Sequence, residues 1–126
     1  MPKIVLVVDD SPTIRGFCRL CLVPLGVEVV LAEGGSQALE QIRKATPGLI
    51  IADLNMPGMD GIALVEALRK DPDPAVRAVP LLLLTGERDP SVRARGLAAG
   101  ANEFIEKPIK IPALQEAVRR FLGEPA

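Results

Sequence analysis

The chain has 126 residues, 48% of them hydrophobic and 25% charged, and its 15 Lys and Arg against 16 Asp and Glu leave a net charge of −1. That length suits a single domain over 1–126 with a real core, and the charge balance gives no sign of a nucleic-acid or other polyanion binder, so none is expected. No apolar stretch approaches the ~20 residues of a membrane span, the first strand begins by residue 4 and leaves no room for a signal peptide, and histidine is absent. A cytoplasmic protein with no membrane contact is therefore expected. Histidine bases, imidazole metal sites and a phosphohistidine within this chain are excluded.

In chain order, Ile4-Val5-Leu6-Val7-Val8 is a continuous apolar run ended by Asp9 and Asp10. Runs of this kind read as strands buried on both faces, the mark of a parallel sheet covered by helices. Ser11 then caps a helix with Pro12 at its first position. Ile14, Phe17, Cys18, Cys21, Leu22 and Leu25 follow at helical spacing as one apolar stripe. Cys18 and Cys21 spell C-x-x-C, but two turns inside a helix, so they read as buried core thiols and not as a redox pair. A zinc site lacks further Cys or His ligands. Val27–Leu31 is the second strand, and Gly34-Gly35-Ser36 opens a helix with Ala38, Leu39 and Ile42 inward. Leu49-Ile50-Ile51-Ala52 is the third strand, ending in Asp53.

Gly61 begins a helix carrying Ile62, Leu64, Val65 and Leu68, and Asp71-Pro72-Asp73-Pro74 forbids its continuation. The fourth strand runs from Val79 to Leu84, with Pro80 tolerable near its start. Asp89-Pro90 caps a helix to about Ala99, which Gly100 ends. Phe104 and Ile105 form a short fifth strand, and the last helix uses Leu114, Ala117, Val118, Phe121 and Leu122. Five βα units with right-handed crossovers make an α/β fold with a doubly wound, five-stranded parallel sheet. Repeats, low-complexity tracts and linkers are absent from the sequence.

In such a sheet, ligands bind beyond the carboxyl ends of the strands. The first strand delivers Asp9 and Asp10 there, and the third delivers Asp53 with the turn-rich loop Leu54-Asn55-Met56-Pro57-Gly58-Met59-Asp60-Gly61. The fourth delivers Thr85 and Gly86, the fifth Lys107 and Pro108. Three carboxylates at close range call for a cation, and Mg²⁺ is the first candidate among hard, oxygen-seeking ions. With Thr85 and Lys107 as donors, the rim is suited to a phosphoryl group, and no P-loop points to a bound nucleotide as its source.

Taken in order and at these spacings, the acidic pair, Asp53, Thr85, Lys107-Pro108 and the segment Asp53–Gly61 resemble the receiver domain of two-component response regulators over essentially the whole chain. The resemblance implies a CheY-like, flavodoxin-like (βα)5 fold with strand order 2-1-3-4-5, an order for which that chemotaxis regulator is the standing example. It implies Asp53 as phosphoacceptor from the phosphohistidine of a sensor histidine kinase or a histidine phosphotransfer domain. Asp10, Asp53 and the backbone carbonyl of Asn55 would ligate Mg²⁺, with Asp9 acting through water. Lys107, Thr85 and the Gly86 amide would meet the phosphoryl oxygens, although Gly86 stands where the family commonly has Ala. Asn55 and Glu87 would flank the water that removes the phosphoryl group.

The resemblance also implies a switch, in which Thr85 moves inward and Phe104 turns from a partly exposed to a buried rotamer. The face of the fourth helix, fifth strand and fifth helix, with Arg93, Arg95, Lys110, Arg119 and Arg120, would then meet a downstream target protein. Expected is a monomer that catalyses only its own phosphorylation and dephosphorylation. A stand-alone signalling receiver of the chemotaxis or motility kind heads the readings. A phosphorelay shuttle or phosphate sink, and the receiver part of a longer regulator, stand beside it. An aspartyl-phosphate phosphohydrolase fits poorly, because position 55 is Asn where that chemistry needs a second Asp.

Overall fold

The computed structural model describes residues 3–86 and 89–123. Five strands, β1 (Ile4–Val8), β2 (Glu28–Ala32), β3 (Leu49–Asp53), β4 (Leu81–Thr85) and β5 (Glu103–Glu106), form one parallel sheet in the order β2-β1-β3-β4-β5. The three central strands are apolar on both faces because both faces are covered, and β3 and β4 are buried at every position. On one side Leu6, Ile50, Leu81 and Leu83 pack with Leu64, Val65 and Leu68. On the other, Val5, Val7, Ile51 and Leu82 pack with Cys18, Cys21, Leu22, Leu114 and Val118.

The helices are α1 (Pro12–Leu22), α2 (Gly35–Lys44), α3 (Gly61–Arg69), α4 (Pro74–Arg77), α5 (Pro90–Ala99) and α6 (Ile111–Leu122). Ser11 caps α1 as its sequence predicts, its hydroxyl accepting from the Ile14 N–H at 3.3 Å. Leu25 lies past the end of α1, in a 3₁₀ turn over Val23–Leu25. Cys18 and Cys21 are both free and buried, as their place on the apolar stripe requires.

The expectation of five βα units needs one correction. Asp71-Pro72-Asp73-Pro74 does end α3, but Asp73 accepts from the Ala75 N–H and Pro74 takes the first position of α4. The segment that follows one helix therefore starts another at Pro74, and the predicted fourth and fifth helices are α5 and α6. Two strands also move: β2 begins one residue later than predicted, and β4 begins at Leu81, leaving Val79 and Pro80 as its approach. Pro80 still offers its carbonyl to the Ile50 N–H at 3.0 Å, so only its missing donor keeps it out of the ladder. No helix among the described residues is long and apolar enough to cross a membrane.

Candidate functional site

Register brings the predicted residues to one rim. β1, β3 and β4 end side by side, with Val8 opposite Ala52 and Asp53 opposite Leu84, while Thr85 lies opposite Glu106 on β5. The chain past each strand continues the alignment: Asp9 N–H donates to Ala32 O at 3.1 Å, Leu54 N–H to Leu84 O at 2.9 Å and Lys107 N–H to Thr85 O at 2.8 Å. Gly61 lets α3 start this close to β3. A Cβ there would lie 2.6 Å from the Asp53 carbonyl oxygen, which no side chain tolerates.

Within the rim, one oxygen from each of Asp9, Asp10 and Asp53 falls within 4.8 Å of the others. Asp9 and Asp53 are buried, and Asp10 is exposed at the mouth. Lys107 Nζ donates to Asp53 Oδ1 at 3.0 Å and stands 3.7 Å from Asp9 Oδ2. Asp9 Oδ1 accepts from the Ser11 N–H at 2.8 Å, while Asp9 Oδ2 is buried with no hydrogen-bond partner among the described residues.

The electrostatics follow. Burial raises the Asp9 carboxyl above its ordinary value; the Ser11 N–H and Lys107 pull it back, and Asp53 and Asp10 push it further up. Burial lowers Lys107, but its hydrogen bond and charge contact with Asp53, joined by Asp9, outweigh that, so the ammonium is held above its usual range. An orphaned buried carboxylate oxygen facing two further carboxylates is an all-oxygen donor set short of positive charge. It fits a hard divalent cation.

Thr85 is buried at the end of β4, and Gly86 and Asn55 are exposed on the neighbouring loops. Glu87 lies outside the described residues. Phe104 departs from expectation. Its ring is already buried, seated on Gly96 of α5, where a Cβ would come within 2.4 Å of ring Cζ. The Arg93 guanidinium covers the ring at 5.4 Å from its centroid and lies 3.7 Å from Glu106. Of the basic residues predicted for this face, Arg93 and Arg120 face acids, Arg120 meeting Glu103 at 2.7 Å. Arg95, Lys110 and Arg119 are exposed.

Sequence reasoning passed over Arg15, whose Nη1 donates to the Asp9 carbonyl at 2.7 Å. The available signal was a cation one turn into the helix that follows an acidic pair. It passed over Gly96 too, since nothing local ties a glycine in α5 to a ring eight residues later.

The response regulator receiver domain family model matches residues 5–119. The chain is 36% identical over 118 residues to a probable transcriptional regulator ycf27 of Porphyridium aerugineum, covering 94% of this chain and 47% of that one. It is 34% identical over 130 residues to the DNA-binding response regulator MtrA of Mycolicibacterium smegmatis, covering 100% and 55%. The chain thus spans about half the length of these relatives. Among solved structures, a putative response regulator of Chloroflexus aurantiacus superposes with a TM-score of 0.90 at 35% identity, covering 98% of this chain and 100% of that one. Chemotaxis protein CheY4 of Vibrio cholerae gives 0.90 at 36% identity, covering 97% and 100%. The chain belongs to the response regulator receiver family, whose members bind Mg²⁺ at an acidic pocket and work with histidine kinases and downstream effectors.

Proposed function

We propose that this protein accepts a phosphoryl group from a partner's phosphohistidine onto Asp53. The observation that carries this reading is the buried Asp53 carboxylate, 3.0 Å from Lys107 Nζ, inside a cluster of three aspartates. A carboxylate oxygen of Asp53 would attack phosphorus, forming a P–O bond as the P–N bond breaks and the imidazole leaves. Lys107 neutralises charge on the phosphoryl oxygens, and Thr85 offers its hydroxyl to one of them. Asp10, Asp53 and the Asn55 carbonyl would hold Mg²⁺, with Asp9 behind, and the ion would offset the charge of donor and acceptor. The protein acts on its own carboxylate only, and water removes the group beside Asn55. Incubation with acetyl phosphate and Mg²⁺ should label the protein once, and Asp53→Asn should abolish labelling. Undiminished labelling of Asp53→Asn overturns the assignment.

For output we infer a partner protein at the α5–β5–α6 face, where a groove of about 550 Å³ is lined by Glu103, Glu106, Lys110, Glu116 and Arg120. Because Phe104 is already buried, the phosphoryl group would tighten an existing α5–β5 contact and not draw an exposed ring inward. A stand-alone, chemotaxis-type receiver is the reading favoured by the likeness to chemotaxis protein CheY4 of Vibrio cholerae, whose solved chain is matched over its whole length. The receiver part of a longer regulator is favoured by relatives of about twice this span, one named a probable transcriptional regulator and one a DNA-binding response regulator. Capture of partners by the beryllofluoride-treated protein, set beside the reading frame around its gene, separates the two.

A further inference from the structure

A residue outside the carboxylate cluster holds the backbone next to Asp10. Arg15, whose side chain is only 15% exposed, donates from Nη1 to the backbone carbonyl of Asp9 at 2.7 Å. Its Nη2 stands 3.9 Å from Glu33 Oε1, but the Glu33 side chain is 74% exposed, so that pair holds little. The Asp9 carbonyl lies in the peptide plane that leads into Asp10. On the other side of Asp10, the Ser11 N–H donates to Asp9 Oδ1 at 2.8 Å. Both peptide planes flanking Asp10 are therefore held, one by Arg15 and one by Asp9, and with them the two soft dihedrals that aim its side chain. The Asp10 carboxylate is exposed at the mouth of the cluster, so the held backbone sets the Cβ from which that carboxylate reaches toward Asp9 and Asp53.

We propose that Arg15 is a positioning residue of the acidic pocket: by pinning the Asp9 carbonyl it fixes where Asp10 presents its carboxylate, and so sets the affinity for the divalent cation. This rests on the reading of the pocket as a cation site. Charge alone makes the opposite demand. A guanidinium beside a cation site repels the cation, so deleting it would tighten binding, whereas deleting a positioning donor loosens it. The sign of the effect decides between them.

The test is calorimetric titration of the full chain with Mg²⁺ for wild type, Asp10→Asn, Arg15→Met and Arg15→Lys. Wild type should bind and Asp10→Asn should lose binding. Arg15→Met should bind about five- to tenfold more weakly, as expected for losing a charge-assisted hydrogen bond, with its metal-free circular dichroism unchanged. Arg15→Lys keeps the charge but ends short of the carbonyl, so it should bind about threefold more weakly, and it carries the test if Arg15→Met fails to fold. A merely structural role would lower the metal-free Tm and leave affinity intact. Wild-type or tighter affinity in a folded Arg15 variant overturns the proposal. Failure of the pocket reading looks different: wild type binds no Mg²⁺, or Asp10→Asn binds it equally well, and the inference falls with it.

Discussion

Burial governs the chemistry of Cys18. It pushes the thiol from an ordinary 9.0 up to about 12, with Cys21 and Asp9 adding to the rise and Lys107 opposing it. In the unfolded chain the same thiol titrates near its ordinary value. Between about pH 9 and 12 the unfolded chain has thus released a proton that the folded chain still holds. Stability must fall as pH rises through that window, by up to ~1.4 kcal/mol per pH unit from this group. Urea unfolding across that range should give a shallower alkaline slope for Cys18→Ala than for wild type, whatever the variant's stability at pH 7. At neutral pH neither cysteine should react with a thiol reagent until urea is added. An identical slope in Cys18→Ala, or rapid modification of the native protein, would contradict the buried placement. Proximity to the acidic pocket does not make this thiol a nucleophile.

Between elements, the contact of α5 with β5 depends on a missing side chain. Gly96 is the one buried residue of α5, and the Phe104 ring occupies the space its Cβ would take. Gly96→Ala gains about 1 kcal/mol of helix propensity but forces overpacking that costs about 1–3 kcal/mol, so net destabilisation is expected. In a Phe104→Leu background the clash is gone, and Gly96→Ala should become neutral or stabilising. A double-mutant cycle by urea unfolding measures this, and additive effects would show that ring and helix are not coupled. The same contact marks the limit of what sequence patterns reveal. Strands, strand-end aspartates and Lys107 were legible because period, run length and order along the chain are local signals. The seat of Phe104 was not, since it needs the distance between a helix and a strand. The missed α4 had a local signal: Asp73-Pro74 repeats the cap-then-proline pattern that placed α5 at Asp89-Pro90, but a second proline at Pro72 made it read as a breaker alone.

Across the whole molecule a net charge of −1 conceals an uneven distribution. Three carboxylates share one rim with a single lysine between two of them. Folding assembles that repulsion, and the unfolded chain lacks it, so the site is held together at a cost to stability. Asp10 contributes charge but no packing, because it is exposed at the mouth. Asp10→Asn should therefore stabilise the metal-free protein by about 1 kcal/mol, equivalent to a rise in Tm of about 3–5 °C for a domain of this size. Mg²⁺ should narrow or reverse that difference. A cation that binds only the folded pocket adds about 1.4 kcal/mol to wild type at ten times its Kd, and adds little to a variant that has lost a ligand. Thermal melts in EDTA should rank Asp10→Asn above wild type, and melts in saturating Mg²⁺ should close or invert the gap. Equal Tm values in EDTA would show that the three carboxylates do not strain the fold. An equal Mg²⁺-induced rise in both proteins would place the cation somewhere other than this rim.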